Sequence, residues 1–114
     1  CKKYKYVQLN IKKMKLLIIT AIKEFETAVK KILFDAGIKE FTCENVTGCR
    51  DASTESVGDN WFASEVNETD SVLFWVLAPV ETVQHAEAGV AQFNAALQTQ
   101  SRIHLAILNT EKSI

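Results

Sequence analysis

The sequence predicts an α+β domain in which a four-stranded antiparallel sheet carries two helices on one face. Three observations predict it. Short apolar runs and stretches of helical period follow one another in the order β-α-β-β-α-β. Each helical stretch has a single apolar stripe, so each must be covered on one side only. Turn-forming residues fall where the periods change, with Gly37 after the first helical stretch and Pro79 after the strongest strand.

Taken in order, 15–22 (KLLIITAI) is a compact, β-branched apolar run that reads as a strand buried on both faces. Phe25, Ala28, Val29, Ile32, Leu33 and Ala36 then step at helical spacing, with Lys30, Lys31 and Asp35 between them. The stretch 40–48 (EFTCENVTG) reads as a second strand. Residues 50–60 (RDASTESVGDN) are turn and polar chemistry with one apolar side chain larger than alanine, Val57, and 49–62 is expected to be a mobile loop. Residues 61–66 are expected to continue the hairpin, with a turn over 67–70. The run 71–78 (SVLFWVLA) is the strongest strand, closed by Pro79. Val83, Ala86, Val90, Phe93 and Leu97 form the stripe of a second helix, and 102–108 (RIHLAIL) supplies the last strand. In a domain of this length the order is most often the ferredoxin-like βαββαβ sandwich.

The 114 residues carry a formal charge of −1 and are 47% hydrophobic, with 3 Cys, which suits one domain with its own core and excludes a disulfide scaffold. No apolar run reaches the roughly 20 residues of a membrane-spanning helix, and the start CKKYKY has no apolar signal-peptide core behind it, so the simplest address is cytoplasmic. Six lysines, at 2, 3, 5, 12, 13 and 15, lie in the first fifteen residues. Removing them from the 13 basic residues leaves 7 against 14 acidic ones, so 16–114 is a domain of charge −7. Such a domain is a poor match for a nucleic-acid backbone. Residues 1–13 read as a basic extension, disordered or artificial, and 14–114 as the single folded domain.

On 71–78, Val72, Phe74 and Val76 project to one side and Leu73, Trp75 and Leu77 to the other, and 15–22 is apolar throughout. Two helices cover one face of such a sheet. The other would leave an apolar patch larger than a monomer usually tolerates, so the pattern predicts a closed oligomer, a dimer or a trimer.

The stretch from Met14 through DAGIKEFTCENVTGCR resembles the nitrogen-regulatory PII family, and SVLFWVLAPVETV is similar to that family's third strand and the opening of its second helix. The resemblance implies a ferredoxin-like protomer in a homotrimer, ligand clefts between subunits and a long effector loop, the T-loop. It implies a non-enzymatic signalling role: an adenine nucleotide or another small anion is bound, and a membrane transporter is regulated. Typical members cradle nucleotide phosphates with a glycine- and lysine-bearing loop after the second helix. Here 95–102 (AALQTQSR) has neither, which leaves Arg102. The trimeric CutA divalent-cation tolerance proteins are similar in layout, and a metal-responsive trimer using Cys49 with a histidine is the alternative.

No nucleophile lies in a catalytic motif. The ligand-binding candidates are Gly48, Cys49, Arg50, Arg102 and His104. Arg102 and His104, two apart on an expected strand, share a face. Arginine offers a bidentate anion contact, histidine a pH-tunable donor, and the backbone at Gly48 a close approach. Ser53, Thr54 and Ser56 supply hydroxyls in the expected loop, and Trp61 and Phe62 are candidate anchors or partner contacts. Cys49, His85 and His104 are the possible metal ligands, while Cys43, in phase with Phe41, reads as a small core residue.

Overall fold

The architecture follows from the two helical stripes and the alternation of the strands. A computed structural model describes residues 13–51 and 66–114, and the candidate loop residues Ser53, Thr54, Ser56, Trp61 and Phe62 lie outside them, as do residues 1–12 of the basic extension. The elements are β1 (Met14–Ile22), a 3-10 turn (Lys23–Phe25), α1 (Glu26–Asp35), β2 (Thr42–Asp51), β3 (Val66–Pro79), α2 (Val80–Ala96) and β4 (His104–Asn109). They form one four-stranded sheet in the order β2-β3-β1-β4, and every neighbouring pair is antiparallel. This is the ferredoxin-like sandwich that the periodicities predict.

One face of the sheet is closed by the helices. Leu17, Ile19 and Ala21 of β1 and Val72, Phe74, Val76 and Ala78 of β3 meet Val29 and Leu33 of α1 and Val83, Ala86 and Val90 of α2, all buried. Phe25 and Phe93 meet edge to face at 5.1 Å across the helix layer, a geometry that favours ring pairs beyond their buried area. Gly37 stops α1 at φ +93, a conformation that costs a side-chain-bearing residue about 1 kcal/mol or more. Beyond it the Ile38 N–H donates to the Leu33 carbonyl at 3.0 Å and the buried Ile38 side chain joins the core, so the chain turns back toward β2. Cys43 packs against that core, as its phase with Phe41 predicts.

Four boundaries differ from the sequence reading by more than one residue. β2 starts at Thr42 rather than at 40. It also runs on through Cys49 and Arg50 to Asp51, three positions expected as loop, because Cys49 pairs with Glu68 and Arg50 with Asn67. The turn expected over 67–70 is absent for the same reason: those residues are the strand partners of 47–50. Since β1 ends opposite Ser71, the ladder beyond that point is a two-stranded stem. Glu68, Thr69 and Asp70 are exposed on it, and the polar composition that signals a turn equally suits strands wet on both sides. Finally, β4 begins at His104 and leaves Arg102 in the preceding segment.

Candidate functional site

Where the stem leaves the body of the sheet, a cleft of about 600 Å³ opens between the end of β1, the outer part of β2, the adjoining part of β3 and the segment before β4. All five ligand-binding candidates, Gly48, Cys49, Arg50, Arg102 and His104, line it. The hydroxyls of Thr20, Thr47, Thr69, Ser71 and Ser101 line it as well, together with Glu24.

Each cation is placed by local chemistry. Asn94 of α2 holds Ile103 through a reciprocal pair: its Nδ2 donates to the Ile103 carbonyl and its Oδ1 accepts from the Ile103 N–H, both at 2.9 Å. With Ile103 buried and its backbone bound to the helix, the ladder to β1 starts only at His104, which pairs with Thr20. That is why Arg102 and His104 do not share a strand. They reach the same cleft from either side of a clamped residue. The Arg102 Nη1 donates to the carbonyls of Thr99 and, at 2.9 Å, Ser101. This anchors the guanidinium to its own turn and reduces the rotamer entropy that a ligand contact would have to overcome.

On the opposite wall Arg50 is exposed on β2, and Gly48 lies against Ser71. A Cβ on Gly48 would come within 2.7 Å of the Ser71 Oγ, so a side chain there would displace the buried Ser71 hydroxyl, which donates to the Thr69 carbonyl at 3.2 Å. Cys49 is exposed, with a free thiol. His85 is elsewhere. It lines a separate groove of about 600 Å³ between the helices, with Ile32, Asp35 and Gly89. Of the three possible metal ligands, only Cys49 and His104 therefore share a site. Among the described residues no three His, Cys, Asp or Glu side chains gather in a metal-binding group. Asn94 and Glu24 are the participants that sequence reasoning missed.

The sheet order and the two helices on one face define the ferredoxin-like fold. Solved structures carry the likeness to particular members. The chain superposes on the B. subtilis GlnK–ATP complex with a TM-score of 0.61 at 14% identity, covering 84% of this chain and 82% of that one. It superposes on CPII, a nitrogen regulatory PII-like protein from Thiomonas intermedia K12 bound to ADP, AMP and bicarbonate, with a TM-score of 0.57 at 16% identity, covering 89% and 96%. A periplasmic divalent cation tolerance protein, CutA from Archaeoglobus fulgidus, gives 0.58 at 12% identity, covering 89% and 87%. The suspected PII likeness thus holds for the fold, which CutA shares. No protein-family model and no curated protein sequence matches the chain.

Proposed function

We propose that this chain is a PII-like regulatory protein without catalytic activity. As a homotrimer it binds a small anionic effector, an adenine nucleotide or a similar anion, in the stem-side cleft. The carrying observation is the convergence of Arg50, Arg102, His104 and the Gly48 backbone on one cleft of a PII-type fold. Two guanidiniums from different segments can meet one anion together, and charge-assisted contacts are the strong ones. The apolar outer face of the sheet, where Trp75, Leu77 and Leu108 are exposed, supports assembly. An effector at the base of the stem is placed to bias the segment 52–65, whose sequence is mostly polar, and through it a partner, a membrane transporter, in the cytoplasm.

Isothermal titration calorimetry with AMP, ADP and ATP tests the reading. Arg102→Ala is expected to weaken effector binding about tenfold or more, the scale of losing one charged hydrogen-bonding partner. Failure of every nucleotide to bind the unaltered protein overturns the nucleotide assignment. The presence of Cys49 and His104 in the same cleft favours a second reading, a divalent-metal-responsive trimer. It requires a thermal shift with metal that Cys49→Ser abolishes.

A further inference from the structure

Besides the Cys49 thiol, four charged or titratable side chains line the cleft: Arg50, Arg102, His104 and Glu24. The carboxylate is the unexpected one. Glu24 is exposed and makes no hydrogen bond or ion pair among the described residues. Its neighbours in sequence are occupied, since Lys23 pairs with Glu26 at 2.5 Å and donates to Asn45 at 2.6 Å. Glu24 therefore stands unpaired in the same cleft as two guanidiniums. Glu68 and Asp70, cross-strand partners of Cys49 and Thr47, extend the negative charge along the stem. Two arginines against one glutamate give the cleft a charge of +1 with His104 neutral and +2 with it protonated.

A cleft of that charge complements one phosphate group. A triphosphate brings about four negative charges and must place some of them near Glu24 and the acidic stem, where like charges at short range cost binding energy. Discrimination by an unpaired charge is a common way to reject a near relative of the right ligand. Resting on the functional reading above, we infer that Glu24 sets the charge specificity of this site. The cleft takes an anion with a single phosphate's charge, free or on a nucleoside, and Glu24 disfavours polyphosphates.

The test is calorimetry in EDTA with inorganic phosphate, AMP, ADP and ATP, on the wild-type protein and on Glu24→Gln and Glu24→Asp, with thermal unfolding run alongside to confirm that each variant is folded. Wild type is expected to bind AMP more tightly than ATP. Glu24→Gln is expected to raise ATP affinity about tenfold while changing AMP affinity less than threefold, and Glu24→Asp to retain discrimination, because the carboxylate is kept. Phosphate binding as tightly as AMP supports the inorganic source of the ligand, and AMP alone supports the nucleoside source. Tighter binding of ATP than of AMP by the wild type overturns the charge-specificity role and leaves the nucleotide reading intact, as does an equal response of both ligands to Glu24→Gln. No binding of any of the four overturns both.

Discussion

The two faces of β3 carry nearly the same chemistry and have opposite fates. Phe74 and Val76 are fully buried under the helices, while Trp75 and Leu77, one residue away in each case, remain 40% and 45% exposed. The neighbouring strands repeat the contrast. Leu17 and Ile19 of β1 are buried, whereas Leu16 and Ile18 pair with Leu77 and Trp75 on the outer face, and Leu108 of β4 is exposed beside Leu16. Apolar character fixes how much surface wants cover. What supplies the cover is a different matter: the helix stripes close one face, and the described residues leave the other open.

The contrast breaks most readily at its centre. Phe74→Ala removes a ring that touches Phe41 at 5.7 Å between centroids and leaves a cavity against both helices. It is expected to cost about 3–5 kcal/mol in urea unfolding. Trp75→Ala, on the other side of the same strand, is expected to cost about 1 kcal/mol or less at protein concentrations where the chain is monomeric. Equal costs would mean that the outer face is covered within the protomer after all. A smaller effect sharpens the assignment of that face. Leu77→Lys places a charge beside Leu16 and is expected to lower the mass seen by sedimentation velocity while leaving monomer unfolding within about 0.5 kcal/mol of wild type. Unchanged association in this variant would remove the outer sheet face as the contact between subunits.

The inner face was legible from the sequence because helical stripes and strand alternation report burial directly. Leu17, Phe74, Val83 and Val90 all lie where their spacing puts them. The cleft was legible in composition but not in geometry. Arg50, Arg102 and His104 stand out in an acidic domain, yet the idea that a shared strand joins Arg102 to His104 fails, because Asn94 binds the intervening backbone from nine residues away. No periodicity carries that bond. Asn94 simply follows Phe93 on the helix. Glu24 was hidden for another reason: an acidic residue at a helix start is ordinary, and only the fold reveals that it lines the same cleft as two arginines. The stem was misread because Glu68, Thr69 and Asp70 fit a turn and a solvated strand equally well until a partner strand is known.

The smallest expected effect concerns the helix that covers the inner face. Glu26, in the first turn of α1, lies 2.5 Å from Lys23 and 2.9 Å from Lys30. Hydrogen bonds from these two ammonium groups lower its carboxyl from the ordinary 4.5 to about 2. A carboxylate depressed on folding stabilises the native state fully above its unfolded value, and that contribution is lost as the pH falls through the folded one. Wild type should therefore lose stability between about pH 4.5 and pH 2 through this group, and Glu26→Gln should show a shallower acid limb over the same window. The pair lies at the protein surface, so the difference should be small and shrink in high salt. Chemical denaturation at pH 7, 4 and 2.5, at low and high ionic strength, measures it. If the acid limbs of the two proteins coincide at low salt, the Lys23–Glu26–Lys30 cluster does not steady the cover, and the burial of Phe74 and Val76 rests on the apolar stripes of the two helices.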